Sequence, residues 1–548
     1  MSILITLGHN SSAIRVDDTI TCGYEEERLT RIKSESSFPR NALAKLECNK
    51  KQPLFVTHWY DNFDFYKTKN LHIQRHFDYD YIKSLDSEIY TLDADFTHHD
   101  AHAMSAMAFC KSKLPAASEA LNDGAIIFVS DGFGNSQEVF SVYRFNSWKK
   151  PILICRVYDY ANSLGLLYQY ATSYVGMKEL EDEYKFLGYE SLVEDYFSKD
   201  EISRIEDGAQ RYIDNWLETF RASRPMRPDL LYINEAYLAG VKDRFYSLFD
   251  TLVNNFLVLD STQKRVLIGY YIQFIIEGIH KKLIEIFDVK DLLLAGGLYY
   301  NVKLNNTILK SIKGKLCVMP LAGDQGTALG LYFNYNPNFK LDTLLFGKRP
   351  IDEVNEETTD KIFSKLLRDE IVQVVCGSME FGPRALCNTS TLCLATKENV
   401  DIVNTLNGRN TFMPMAPVML EKNLEYFFSK EQYGRVIGSD RYMIITYDYA
   451  RSPDFLTVGA AHKYPRANLY SGRPQVVDNK NSYIYKVLEK LDINGIKLII
   501  NTSFNAHGRP IVYSETDALK DWVYQNYNLD KVKYRKPLNL FIGNELYA

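Results

Sequence analysis

Three of the chain's 10 histidines fall within five residues, in Phe96-Thr97-His98-His99-Asp100-Ala101-His102-Ala103-Met104-Ser105-Ala106. The small, helix-forming residues that follow predict a helix, on which His98 and His102 project from one face because positions i and i+4 are neighbours. That is the geometry of a bidentate metal clamp. An isolated His-x-x-x-His also occurs on ordinary helices, so the rest of the chain decides. Val129-Ser130-Asp131-Gly132-Phe133-Gly134 and Leu321-Ala322-Gly323-Asp324-Gln325-Gly326 each set one aspartate in a glycine-flanked turn after an apolar run. Two imidazoles with Asp131 and Asp324 make a divalent site open to iron(II), manganese or zinc.

Other stretches offer ligand-binding chemistry. Gly8-His9-Asn10-Ser11-Ser12-Ala13 is a polar turn suited to phosphate, with His9 at its tip. Leu292 to Gly297 ends a strand on paired glycines, which allow close backbone approach by a ligand or tight helix–strand packing. The helix predicted from Thr327 could turn its amino end to a phosphate. Arg384, after Gly382-Pro383 and before residues read as helix-forming, can present a planar fork to a phosphate or carboxylate. Asn501-Thr502-Ser503-Phe504-Asn505 is either a small polar-ligand site or an Asx-rich turn. Glu25-Glu26-Glu27-Arg28-Leu29-Thr30-Arg31-Ile32-Lys33, read alone, is a solvated helix face laced with weak ion pairs.

The elements that must position these residues follow a repeated order. Residues 3–7 and 14–24 read as strand, turn and strand, and 125–144 repeats the device. A Gly-Gly strand and an aspartate turn come next, which is how an actin/hexokinase-like ATPase grips nucleotide phosphates from two sides. Residues 190–262 read as a helical insertion or lid, and Ser261 to Phe287 as a long core helix. The Asn/Pro-rich and charged sequence around 335–357 is the linker. The predicted organisation is an α/β chain with one domain over 1–345 and a second over 346–548.

Composition narrows the function classes. The chain has 548 residues, 46% of them hydrophobic, enough for large cores and about two to four domains by length alone. The net charge of −5 argues against tight non-specific binding to long nucleic acid. Eight cysteines without a C-x-x-C pair read as reduced core residues of a cytoplasmic protein. The apolar run at 266–276 is too short to span a bilayer, so no membrane segment is expected.

With these motifs assembled, the chain resembles the O-carbamoyltransferases typified by the nodulation-factor, aminoglycoside and novobiocin enzymes. The matching motifs are Gly8 to Ala13, Glu25 to Lys33, His98 to Ala103, Ser130 to Gly132, Ala295 to Gly297, Gly323 to Gly326, Met379 to Leu386, and Asn501 to Asn505 with Gly508 and Pro510 to Val512. The resemblance implies an actin-like ATPase (ASKHA) domain, similar to the protein that transfers threonylcarbamoyl to tRNA, followed by a YrdC-like domain that builds carbamoyl adenylate. It implies ATP with magnesium, a divalent metal with iron(II) foremost, carbamoyl phosphate as donor and an alcohol as acceptor. The acceptor is a natural-product sugar or polyketide hydroxyl, or a hydroxymethyl pyrimidine of a nucleotide or DNA. A homodimer is left open.

By matching position, His9 is the base for the acceptor hydroxyl and Lys185 a further catalytic residue. His98, His102, Asp131 and Asp324 hold metal or phosphate. Gly132, Gly296, Gly297 and Asn301 line the nucleotide site; Arg384, Arg409, Asn501 and Ser503 hold carbamoyl phosphate or its adenylate. The chain departs from the family pattern in its second domain. Asn407-Gly408-Arg409-Asn410-Thr411-Phe412-Met413 lacks a usual lysine, glutamate and arginine, Cys387-Asn388-Thr389-Ser390 replaces Gly-Asn-Arg-Ser, and Arg509 stands in place of glutamate. Fewer cationic groups weaken phosphate binding; His462, Arg466 and Arg473 are candidates to compensate. The competing readings are an ATP-binding regulatory module that has lost donor chemistry, and threonylcarbamoyl transfer to tRNA.

Overall fold

The computed structural model describes residues 1–548 except 18, 49, 58–76, 94, 115–120, 122–123, 223–234, 257, 409–414, 465–468, 530–531 and 533–534. Arg409 and Arg466 therefore lie outside the described residues.

Buried apolar runs form the first sheet: β1 (Ser2–Thr6), β2 (Ser12–Val16), β3 (Ile20–Glu25), β4 (Leu54–Thr57) and β5 (Ile89–Thr91). Its order is β3-β2-β1-β4-β5. The first three strands are antiparallel, and β4 and β5 run parallel to β1. The next five strands are β6 (Ile126–Ser130), β7 (Glu138–Arg144), β8 (Ile152–Tyr158), β9 (Leu292–Ala295) and β10 (Leu316–Val318). They repeat the plan, in the order β10-β9-β6-β7-β8 with β9 and β10 parallel to β6. Two sheets with the same strand order and directions are the duplicated frame of an actin/hexokinase-like ATPase. The turns after β1, β6 and β10 carry His9, Asp131 and Asp324 to the carboxyl ends of these strands, where open α/β sheets hold their ligands.

Two helices bring the halves of that frame together. His98–Lys113 follows β5 and starts at a capping box, with Thr97 and Asp100 each receiving the other's backbone amide. Thr327–Tyr335 follows the Asp324 turn. At their crossing, a Cβ on Gly330 would run into the carbonyl of Ala101, so the helices touch backbone to backbone. The long helix Ser261–Ile286 is buried along most of its length. Lys199–Ala222 packs on it and Glu235–Val253 packs on Leu164–Tyr174, with Ile205, Trp216, Phe245 and Phe249 in the common core. The helical region is thus built into the first unit's core.

The second unit is a mixed seven-stranded sheet in the order Gln475–Val477, Ala416–Leu420, Leu498–Ser503, Thr389–Leu394, Ile371–Val375, Leu538–Ile542, Glu545–Tyr547. Helices Glu356–Leu367 and Tyr483–Ile493 cover one face, and Glu515–Leu529 packs on the other. A small sheet orders Tyr447–Asp448, Tyr470–Gly472 and His462–Lys463. Among the described residues, no helix is long and apolar enough to cross a membrane. Every cysteine is a free thiol.

The charged stretch at 25–31 corrects the sequence expectation. Glu25, Glu26, Glu27 and Arg28 are buried, in the seam between the two units. Arg28 donates to the carbonyl of Gly382 at 2.6 Å and to Glu25 at 3.2 Å, and pairs with Glu27 at 3.1 Å. The amide of Gly382 donates back to Glu25 at 3.0 Å. Arg31 donates to the carbonyls of Ile511 and Pro510 at 2.6 and 2.9 Å. Local charge pattern describes a solvated helix; contacts some 350 residues away in sequence make it a strap.

Candidate metal centre and facing ligand sites

His98 and His102 occupy the first turns of their helix, and their Nε2 atoms converge at 3.1 Å. Asp131 Oδ2 lies 3.3 Å from His98 Nε2 and 3.7 Å from His102 Nε2; Asp324 Oδ1 lies 3.2 and 3.6 Å from the same two atoms. All four residues are buried, and one ligand atom from each falls within 4.8 Å of the others. This is the cluster expected from the sequence.

The shell around it holds the helix start in place. The amide of His98 donates to Asn135 Oδ1 at 2.7 Å and that of His99 to Glu138 Oε1 at 2.8 Å. Arg156, on the edge strand β8, pairs with Glu138 at 2.8 Å and Asp100 at 2.9 Å, and donates to Tyr143 at 2.6 Å. His99 points away from the cluster, its Nδ1 2.8 Å from Ser141 Oγ. Glu138 and Arg156 escaped sequence reading: they lie on strands with no motif, and only strand pairing brings them beneath the histidine helix.

The donor set fits a first-row divalent ion. Ligand atoms bound at about 2.1 Å in tetrahedral or octahedral array sit about 3 to 3.4 Å apart. Three of the five separations above fall inside that range and the other two just beyond it. Both oxygens of Asp324 are sealed from solvent and face only imidazoles among the contacts above, Oδ1 those of His98 and His102 at 3.2 and 3.6 Å and Oδ2 that of His9 at 3.5 Å, a buried charge that a cation would satisfy. The two carboxylates also favour a proton on each imidazole. Burial opposes charge on His98, yet the hydrogen bonds that Asp131 and Asp324 accept from it outweigh burial and push the ring up to about 10. His102 is raised in the same way. Against the same burial, the two imidazoles hold Asp131 well below the carboxylate range and Asp324 at about 2.

A metal must displace the His98 proton, so uptake releases protons. We expect the apparent affinity for manganese or zinc to rise about tenfold per pH unit, per proton displaced, between roughly pH 6 and pH 8. Calorimetric titration in buffers of differing ionisation heat reads both affinity and proton release. A pH-independent affinity counts against the cluster as the binding site.

Around the cluster, the structure places the remaining first-unit residues. His9 Nδ1 is 3.5 Å from Asp324 Oδ2, with its side chain 38% exposed, in a turn where Gly8 and Asn10 both have positive φ. Gly132 receives the Ser163 hydroxyl at 2.6 Å through its carbonyl. Gly296, at φ +104°, leaves no room for a Cβ against the Ser130 carbonyl, and the amide of Gly297 donates to Asp131 Oδ1 at 2.8 Å, orienting that ligand. The Asn301 side chain caps helix Val302–Ser311 through the amide of Leu304 at 3.0 Å and donates to Gln273 at 2.8 Å. Lys185 pairs with Asp182 at 2.7 Å and reaches His507 of the second unit at 2.9 Å.

In the second unit, no helix follows Arg384. Glu380 Oε1 instead accepts the amides of Leu386, Asn388 and Thr389 at 2.8, 2.8 and 2.9 Å. This folds the segment into a tight loop with Cys387 at φ +78°. Arg384 Nε is buried with no partner. Burial and, after it, the charge of Arg384 push Arg473 well below the usual guanidinium range. Asn501 donates to Gln475 at 2.6 Å and to the Ala385 carbonyl at 2.8 Å, while its Oδ1 has no partner. Ser503 closes the same strand opposite Ser390. The arrangement can hold an anion at the arginines and polar atoms at Asn501.

The family model described as carbamoyltransferase N-terminus matches residues 87–332, and that described as carbamoyltransferase C-terminus matches 363–534. An uncharacterised protein of Methanocaldococcus jannaschii is 26% identical, over 96% of this chain and 99% of its own. Nodulation protein NolNO of Sinorhizobium fredii is 24% identical, over 94% of this chain and 76% of its own. Among solved structures, component A of (R)-2-hydroxyglutaryl-CoA dehydratase from Acidaminococcus fermentans covers 62% of this chain and 99% of its own at 13% identity, TM-score 0.29. Full-length HypF, in its phosphate- and nucleotide-bound form, covers 61% of this chain and 55% of its own at 12% identity, TM-score 0.31. Likeness at these scores adds nothing to the topology described above.

Proposed function

This chain belongs to the carbamoyltransferase family, and from that premise we propose an ATP-dependent O-carbamoyltransferase with its two half-reactions in its two units. The observation that carries the reading is the pairing of a buried two-imidazole, two-carboxylate cluster in one unit with the buried, unpartnered Arg384 Nε and Asn501 Oδ1 in the other.

In the second unit, read as YrdC-like, Arg384 and Arg473 bind the anionic donor. Carbamoyl phosphate and water give carbamate and phosphate; carbamate and ATP then give carbamoyl adenylate and pyrophosphate. Joining the carbamoyl group to AMP supplies a leaving group that carbamate itself lacks. In the first unit the acceptor's oxygen attacks the carbamoyl carbon, its proton passes to His9, and AMP departs. Asp324, beside His9 Nδ1, holds the ring so that Nε2 is the nitrogen that takes the proton. Gly296 and Gly297 leave the backbone open to the nucleotide. His98, His102, Asp131 and Asp324 would hold the divalent ion, which when bound supplies positive charge for phosphate oxygens. Lys185, tied to His507, links the two sites, and Asn301 supports the nucleotide site by starting its flanking helix.

The acceptor is a natural-product sugar or polyketide hydroxyl, or a hydroxymethyl pyrimidine of a nucleotide or DNA. One observation favours a second reading, the regulatory module: Asn407, standing where the family has lysine, is absorbed in a neutral network, accepting from Gln525 at 2.8 Å.

Exchange of labelled pyrophosphate into ATP separates the two. The enzyme reading expects exchange only with carbamoyl phosphate present; folded, ATP-binding protein that never exchanges favours the module. Within the enzyme reading, His9→Ala should stop transfer to any acceptor and leave the exchange intact. Equal loss of both removes His9 as the acceptor's base.

A further inference from the structure

Gly382 lies where the loop that carries Arg384 meets the first unit, and it is held from two sides. On one side is the strap: Glu25 accepts its amide at 3.0 Å and Arg28 donates to its carbonyl at 2.6 Å. On the other is Leu321, a fully buried residue at the start of the segment that leads to Asp324. A Cβ on Gly382 would come within 2.5 Å of a Leu321 methyl. The φ of +101° at Gly382 lies in the region that glycine alone enters freely, so backbone meets methyl with nothing between them.

Both partners of that contact are stiff. Leu321 is the foot of the aspartate turn, packed so closely that a Cβ on Gly326 would lie 2.3 Å from its carbonyl oxygen. The carbonyl of Ala322 accepts the amide of Gly296 at 2.8 Å. On the other side Pro383, with its fixed φ, stands between Gly382 and Arg384, and Glu380 gathers the amides of Leu386, Asn388 and Thr389.

Resting on the reading of two half-reactions, we infer that Gly382 and Leu321 are positioning residues that couple the Arg384 loop to the Asp324 turn, so that an anion at Arg384 tightens metal binding at the cluster. By reciprocity the metal tightens anion binding by the same factor. An anion gives the buried Arg384 Nε, which has no partner, something to hold, and so fixes its loop. The fixed loop steadies Leu321, and Leu321 steadies Asp324 among the imidazoles. Donor uptake in one unit thereby prepares the metal site of the other.

The probes are manganese(II) and carbamoyl phosphate without ATP, titrated calorimetrically alone and each in the presence of the other, with their association in buffer subtracted. The proteins are wild type, Leu321→Ala, Leu321→Met and Gly382→Ala, with thermal melts to check folding. Wild type should bind manganese about tenfold more tightly with carbamoyl phosphate present, and the converse titration should give the same factor. Leu321→Ala should bind both ligands independently, whereas Leu321→Met, which keeps the bulk, should keep most of the coupling. Gly382→Ala wedges the contact from its other side and should also lose the coupling, which supplies the test where Leu321→Ala fails to fold. A folded Leu321→Ala or Gly382→Ala that keeps the wild-type factor overturns the inference, since the donor would then touch the metal directly. So does a wild type that binds both ligands without coupling, even with pyrophosphate exchange intact. Wild type that binds no carbamoyl phosphate and shows no exchange overturns this inference and the two-reaction reading together.

Discussion

Asp324→Asn is expected to cost at least about a hundredfold in metal affinity, since even residues behind the ligands are worth 10- to 100-fold. Transfer to an acceptor should fall by about three orders of magnitude or more. The substitution keeps the side chain's shape and removes its charge. It strikes two functions at once, because Oδ1 faces the histidine pair at 3.2 and 3.6 Å while Oδ2 faces His9 at 3.5 Å. If the two half-reactions are divided as proposed, carbamoyl-phosphate-dependent pyrophosphate exchange should persist. Metal content by elemental analysis and transfer rate are measured on the same preparation. An Asp324→Asn protein that keeps both its metal and its rate removes the cluster from the mechanism.

The second large effect is on stability. Arg28→Met should destabilise the protein by about 3–5 kcal/mol, the usual cost of leaving a buried charge without its partner. Glu25 and Glu27 would be stranded, and Glu25 already feels burial as the dominant upward influence on its carboxyl, with Arg28 the main opposing one. Because Arg28 also holds the Gly382 carbonyl, the damage should spread across the seam as early loss of the second unit in urea or thermal unfolding. The triple variant Arg28→Met, Glu25→Gln, Glu27→Gln removes the stranded charges and should recover much of the loss. An Arg28→Met protein as stable as wild type means that the seam is held by its apolar contacts alone.

The candidate metal centre is legible in the sequence because its parts obey local rules. His98 and His102 share a helix face by spacing, and Asp131 and Asp324 sit where apolar strands end in glycine turns. The duplicated frame is legible for the same reason, as a repeated order of strand, turn and strand. What escapes depends on distant partners. Arg28 reads as a surface charge until Gly382 is brought to it, and Arg156 reads as an ordinary edge-strand residue until Asp100 and Glu138 converge on it. The helix expected after Arg384 fails because Glu380 captures three backbone amides there.

The crossing of the histidine helix with Thr327–Tyr335 has a further consequence. With Gly330 pressed on the Ala101 carbonyl, no flexible side chain lies between the element that carries the imidazoles and the turn that carries Asp324. The width of the cage is set like the jaws of a pair of calipers, by two rigid rods in contact. Such jaws should resist opening for a larger guest. Calcium, which asks for six to eight oxygens at about 2.3–2.6 Å, is expected to bind more weakly here than iron, manganese or zinc, by size as well as by ligand type. Ionic radius would then be selected at a place where no ligand atom stands.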